Sequence, residues 1–97
     1  MDEIEEFIKR RFATDCNWTS GNCYYFAVIL KERFKHLEIV YLTILGHFMA
    51  QDPWTGFLYD FNGKHDSKDI EDGIWALSTI ENIDPPFYAR IIRDCVK

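Results

Sequence analysis

The sequence lacks an excess of basic residues and a long apolar run. Its 11 Lys and Arg against 16 Asp and Glu give a net charge of −5, which leaves no surplus to replace the counterions of a nucleic acid backbone. No run approaches the roughly 20 apolar residues of a membrane span, because the longest candidate, residues 37–50, is interrupted by Gly46 and His47. We therefore expect neither a nucleic-acid-binding nor a membrane-spanning protein.

Cysteine is also scarce, and its three positions are irregularly spaced. An odd number without a regular spacing does not form a disulfide framework. The N-terminal residues 1–6 are acidic, which is unlike a signal or transit peptide. We therefore expect reduced thiols and a cytoplasmic location.

What the sequence does contain is 47% apolar and 16% aromatic residues, enough for the core of a single domain over residues 1–97. Apolar spacing predicts an α+β fold in which N-terminal helices pack on a small antiparallel sheet and a helix closes the chain. We expect residues 62–72 to form a loop and residues 73–82 to form either a strand or, by preference, a short helix. The predicted helices cover residues 2–13, 22–35 and a segment after Asp84, and the strands cover 38–45, 46–51 and 57–61.

Residues 20–27 read as a loop that enters a helix, with Cys23 in the first helical turn. A thiol at this position meets the positive end of the helix dipole, which favours the reactive thiolate. Cys23 also heads an apolar stripe that continues through Ala27, Leu30 and Phe34. A buried cysteine with a packing role alone is the alternative interpretation.

The turn residues 52–56, Asp-Pro-Trp-Thr-Gly, predict a hairpin. If the hairpin is symmetric about the Pro53–Trp54 bond, His47 lies directly opposite Asp60 on one sheet face, with Cβ atoms about 4.5–5.5 Å apart. A slip of one residue would place the two on opposite faces. The residues expected to fill the core from the other face are Phe48, Ala50, Tyr59 and Phe61.

A nucleophilic thiol, an imidazole base and an orienting carboxylate together make a cysteine hydrolase. Cys23, Gly46-His47-Phe48 and Tyr59-Asp60-Phe61-Asn62-Gly63 stand in that order, which resembles the papain-like superfamily, in particular its NlpC/P60-type and transglutaminase-like members. The resemblance covers residues 17–63. It implies that Cys23 attacks an amide or thioester carbonyl, His47 acts as base and then acid, and Asp60 orients His47.

The same resemblance implies an oxyanion donor a few residues ahead of the nucleophile. Asn17 fits that place, with the backbone N–H of Cys23 as the second donor and Asn22 as the competitor. Trp18, Tyr24 and Trp54 are the aromatic candidates for a groove that binds a peptide or protein substrate. The alternative is that Trp18 fills the core and Trp54 covers the hairpin.

We expect no cofactor and no metal site. The cysteines lack the short spacing of zinc ligands, and a convergence of His47, Asp60 and His65 on one ion is a minor alternative. We expect His65 itself to be a solvated side chain in a polar loop.

The rival hypothesis is a binding or inhibitory domain without catalysis. Such a domain would engage a basic protein partner through its acidic surface. The oligomeric state is not readable from the sequence. The acidic candidates for that surface are Asp66, Asp69, Glu71, Asp72, Glu81 and Asp84.

Overall fold

A computed structural model describes residues 2–12, 23–71 and 73–95, without the side chain of residue 95. Within these ranges the chain is α+β, as predicted. Two α-helices precede the strands in the sequence, and two follow them. No helix in these ranges is long and apolar enough to cross a membrane. The elements in chain order are α1 (Glu3–Arg11), α2 (Cys23–Arg33), β1 (Glu38–Leu42), β2 (His47–Gln51), β3 (Leu58–Asp60), β4 (Gly63–His65), β5 (Ile74–Ala76), α3 (Leu77–Ile83) and α4 (Pro85–Cys95).

The strands form one antiparallel sheet in the order β4-β3-β2-β1-β5. Two of its strands correct the sequence analysis. Residues 62–72, expected to be a loop, contain β4 and a 3₁₀ turn at Ser67–Asp69, and residues 73–82, expected to favour helix, divide into β5 and α3. Both strands are three residues long, which is too short for an apolar pattern of their own. Each is formed by pairing with an interior strand of the sheet, β4 with β3 and β5 with β1.

One sheet face, which we call the inner face, carries Tyr41, Phe48, Ala50 and Tyr59 and is covered by helices. Ile4 and Ile8 of α1 join Ala50 and Tyr59 in one buried cluster. Ala27 of α2 and Ile91 of α4 join Phe48 in a second. Because every described α-helix contributes to these clusters, the inner face holds most of the core.

The opposite face, which we call the outer face, has a thinner cover. Val40, Leu42, Met49 and Leu58 are buried there, against Ile70 and Ile74. None of the helices in the described ranges contributes a residue to this cluster. The segment that follows β4 therefore takes the place that helices occupy on the inner face.

The hairpin of β2 and β3 has a different register from the predicted one. Ala50 pairs with Tyr59, so the hairpin is centred one residue later than the Pro53–Trp54 bond. By continuation of that register, Asp60 lies opposite Met49, and His47 is its diagonal neighbour. The prediction of direct opposition was wrong, but a shift of two positions preserves the shared face.

The turn explains this register. The backbone N–H of Asp52 donates to the carbonyl of Phe57 at 2.9 Å, which closes a four-residue loop over residues 53–56. The Asp52 carboxylate also accepts from the backbone N–H of Trp54 at 2.9 Å. Gly56 ends the loop at a φ of +82°, a left-handed conformation that glycine adopts without strain.

Helix α1 is tied to the sheet through its N-cap. Asp2 and Glu5 form a reciprocal capping box. The Asp2 carboxylate also accepts from the Tyr59 hydroxyl at 2.8 Å and lies 3.3 Å from Lys64 Nζ. Burial and the hydrogen bond to Asp2 raise the pKa of Tyr59 well above its ordinary value, so its hydroxyl remains a donor.

Candidate active site on the outer face

Two imidazoles meet one carboxylate on the outer face. His47 Nε2 lies 3.2 Å from Asp60 Oδ2, and His65 Nε2 lies 2.9 Å from Asp60 Oδ1. The backbone N–H of Asn62 also donates to Asp60 Oδ1 at 2.8 Å. We call His47, Asp60 and His65 the Asp60 cluster.

The sheet order places these three side chains together. Strand β3 lies between β2 and β4, so Asp60 has one imidazole on each neighbouring strand. Leu58 pairs with His65, and Asp60 pairs with Gly63 across a tight turn. Gly63 has a φ of +117°, which a residue with a side chain rarely adopts, so this turn and the placement of His65 depend on a glycine there.

The Asp60 carboxylate is held in its ionised form. Burial, the largest single contribution, raises the pKa of Asp60, which is 7% exposed, and the hydrogen bonds from His47 and His65 lower it. The backbone N–H of Asn62 acts in the same direction, and the pKa lies below the ordinary value. An ionised carboxylate only accepts hydrogen bonds, so each imidazole donates from Nε2.

In the neutral form of an imidazole that donates from Nε2, the opposite ring nitrogen, Nδ1, is the proton acceptor. In the part of the chain that the structure describes, no protein group hydrogen-bonds to Nδ1 of His47 or of His65. An imidazole oriented through one nitrogen by a carboxylate, with the other nitrogen unoccupied, is the arrangement of a general base.

The Asp60 cluster lies in the wall of a cavity of about 290 Å³, which we call the outer-face cavity. Its polar wall also includes Asp69 and Glu71. Its apolar wall consists of Leu42, Ile44, Leu45, Met49 and Ile70. The cavity gives a ligand access to both imidazoles at once.

Cys23 does not join the predicted constellation. The thiol is 4% exposed and packs in the inner-face cluster with Tyr41 and Phe48. Successive strand residues point to opposite faces, so the side chain of His47 lies across the sheet from that of Phe48. The structure thus brings His47 and Asp60 together and leaves Cys23 on the other face.

The aromatic residues predicted to bind substrate lie elsewhere as well. Tyr24 packs against Phe48 on the inner face, with ring centroids 5.2 Å apart. Trp54 is 82% exposed at the hairpin tip, where it stacks on His36 at 5.2 Å. Asn17 and Trp18, the predicted oxyanion donor and groove residue, lie outside the described residues.

From the sequence, His65 was placed with His47 and Asp60 only in a minor metal-site alternative, because residues 62–72 were assigned to a loop. The available signal was the Asn62-Gly63 pair, which is typical of a hairpin turn and would have predicted another strand directly after it. Read as a hairpin, the segment places His65 beside Asp60 on one face. Asp69 and Glu71 were named only as part of an acidic surface, not as walls of a cavity.

Hydrogen bonds join the three side chains of the Asp60 cluster. Both imidazoles direct Nε2 at the carboxylate. Across the described ranges, no group of three His, Cys, Asp or Glu side chains is arranged to hold a metal ion.

Comparison with known proteins assigns a family different from the one suggested by the motifs. Residues 1–96 match the model of the Phage YunG-like protein family. Neither the curated proteins nor the solved structures contain a match. The family match overturns the resemblance to papain-like cysteine proteases, whose three short motifs span only half of the chain.

Proposed function

We propose that this chain, which belongs to the Phage YunG-like protein family, catalyses the hydrolysis of an amide or thioester bond in its outer-face cavity. The observation that carries the proposal is the 3.2 Å contact between His47 Nε2 and Asp60 Oδ2 in the cavity wall. The expected substrate is a peptide or protein. The expected setting is the cytoplasm, in line with the few, irregularly spaced cysteines.

In the proposed reaction, His47 Nδ1 takes a proton from a water molecule as the water oxygen attacks the carbonyl carbon. The resulting imidazolium is stabilised by the ionised Asp60 carboxylate at its other nitrogen. When the bond to the leaving group breaks, His47 returns the proton to the departing amine or thiol. The products are a carboxylic acid and the protonated leaving group, so atoms and protons balance.

Cys23 has a packing role in this proposal. Its thiol lies in the inner-face cluster, whereas the general base lies in the outer-face cavity. Water is therefore the nucleophile that can reach His47.

The experiment compares His47→Gln, Asp60→Asn and Cys23→Ala on a panel of N-acyl p-nitroanilides and N-acyl thioesters. General acid–base catalysis contributes about 10²–10⁴ in rate, so we expect His47→Gln to lower kcat/KM at least 100-fold. Asp60→Asn should lower it similarly because His47 loses its orienting charge. Cys23→Ala is the matched control and should remain within about threefold of the wild type.

Two results would contradict the proposal. One is loss of turnover in Cys23→Ala with activity retained in His47→Gln, which would assign the chemistry to the thiol. The other is the absence of turnover by the wild-type chain on every amide and thioester tested. Circular dichroism of each variant separates a lost reaction from a lost fold.

A non-catalytic domain that engages a basic partner is the second candidate. It is favoured by Asp66, Asp69 and Glu71, which lie close together after β4 and form no ion pair among the described residues. Binding of a basic partner through an acidic surface does not need a buried carboxylate that is hydrogen-bonded to two imidazoles. This candidate therefore gives no role to the Asp60 cluster. We therefore place this candidate behind catalysis.

A further inference from the structure

The outer-face cavity has an apolar wall that the proposed reaction does not use. Met49 is buried at 2% exposure, and Ile70 is partly buried beside it. Ile44 and Leu45, in the turn after β1, are 78% and 70% exposed at the cavity rim. Apolar side chains left open to solvent beside a cavity favour a ligand with an aliphatic part.

The charged groups of the same cavity are all acidic. Asp69 and Glu71 are exposed and form no ion pair with any described residue. No Lys or Arg of the described ranges lines the cavity. Both oxygens of Asp60 already accept hydrogen bonds from protein groups, whereas Asp69 and Glu71 are the exposed carboxylate residues of this wall.

We infer that the outer-face cavity binds a lysine or arginine side chain of a peptide substrate. The aliphatic stem would lie along Ile44, Leu45 and Met49, and the terminal cation would meet Asp69 and Glu71. The cavity volume of about 290 Å³ is at the lower end of the roughly 300–1,000 Å³ of ligand pockets, which suits one long side chain. That the bound peptide is also cleaved rests on the proposed function. The binding of the cationic side chain does not depend on it.

The test measures binding to the full chain by NMR of the methyl groups of Ile44, Leu45, Met49 and Ile70. The probes are N-acetyl-lysine N-methylamide and N-acetyl-norleucine N-methylamide, which share a four-carbon stem and differ in the ammonium group. We expect the lysine probe to shift these resonances with a Kd at least tenfold below that of the norleucine probe. The n-hexylammonium ion, which lacks the amide groups, should bind more weakly than the lysine probe.

The variant pair is the double substitution Asp69→Asn, Glu71→Gln and the matched control Glu3→Gln, Glu6→Gln on helix α1. The first should remove the tenfold preference for the lysine probe, and the second should leave it within twofold. Equal binding of lysine and norleucine probes overturns the inference, as does a preference that survives the first variant. Equal binding of n-hexylammonium would assign the cavity to free alkylamines and overturn the peptide substrate.

Binding and turnover fail separately. A chain that prefers the lysine probe but hydrolyses none of the panel overturns the proposed function and keeps the inference. A chain that hydrolyses members of the panel but binds the lysine and norleucine probes equally keeps the proposed function and overturns the inference.

Discussion

The two faces of the sheet differ in what covers them and therefore in what they can hold. The inner face is covered by the described helices, and its clusters are formed by apolar and aromatic side chains with Cys23 among them. The outer face is covered by the segment that follows β4, which contributes Ile70, and it contains the Asp60 cluster beside a cavity. Thick apolar cover favours stability, and thin cover leaves room for polar groups that a ligand can reach.

The comparison also explains why two of the three predicted catalytic residues meet and the third does not. Asp60 can be buried because three donors satisfy its oxygens, as a buried charge requires. The Cys23 side chain is small and apolar in character, and it is buried among apolar and aromatic side chains of the inner-face core. Similar burial on the two faces therefore has different physical origins.

The largest expected effect comes from truncation on the inner face. Phe48 is 1% exposed and lies between the rings of Tyr24 and Tyr41, at 5.2 and 4.9 Å. We expect Phe48→Ala to lower the free energy of unfolding by about 3–5 kcal/mol. Urea denaturation followed by circular dichroism measures this loss.

Met49→Ala is the matched truncation on the outer face. Met49 is equally buried at 2% exposure but borders an existing cavity, so we expect a loss near the lower limit of about 2 kcal/mol for such substitutions. If Met49→Ala lowers the free energy of unfolding as much as Phe48→Ala does, the two faces contribute equally to stability. The proposed difference between a thickly and a thinly covered face would then be wrong.

Asp60→Asn should have an intermediate effect. The amide keeps the shape of the carboxylate but loses the charge, and hydrogen bonds to charged groups contribute about 1.5–3 kcal/mol against 0.5–1.5 for neutral ones. We expect a loss of about 1–2 kcal/mol at pH 7 in urea denaturation. Asn62→Ser changes an exposed side chain of the same turn and keeps the backbone N–H that donates to Asp60, so it controls for general damage to this turn.

The effect of Asp60→Asn should depend on pH in a stated direction. The pKa of Asp60 is lowered in the folded chain, so its stabilisation is present above the unfolded value of about 3.9 and is lost as pH falls through the folded pKa. The difference between wild type and Asp60→Asn should therefore shrink below about pH 4. A difference that stays constant down to pH 2.5 would show that the charge is not the source of the effect.

The shared face of His47 and Asp60 was predictable because strand side chains alternate with a period of two. The predicted register was wrong by two positions, and an even shift leaves each residue on its face. The exact turn was not predictable, since it depends on Asp52 closing a four-residue loop against Phe57. The sheet face on which a strand residue lies is thus easier to predict than the residue with which it pairs.

The position of Cys23 could have been inferred from the sequence, but two of its patterns had to be combined. Phe48, Ala50, Tyr59 and Phe61 were assigned to the core face of the hairpin, and Cys23 was assigned to the apolar stripe of α2. An apolar stripe packs on an apolar face, which places Cys23 opposite His47. The strands β4 and β5 are different, because three residues are too few for a periodic signal.

The smallest expected effect is at the hairpin tip, which belongs to neither face. Trp54 stacks on His36 with planes 13° apart but is 82% exposed, and aromatic pairs contribute about 0.5–1.5 kcal/mol. We expect Trp54→Ala and His36→Ala each to destabilise the chain by less than about 1 kcal/mol, with a double-mutant cycle showing that they couple. Binding of the lysine probe to the outer-face cavity should change by less than twofold, because Trp54 is not in its wall. A tenfold loss of binding in Trp54→Ala would contradict this expectation. It would show that Trp54 contributes to substrate binding, as the sequence predicted, although it does not line the outer-face cavity.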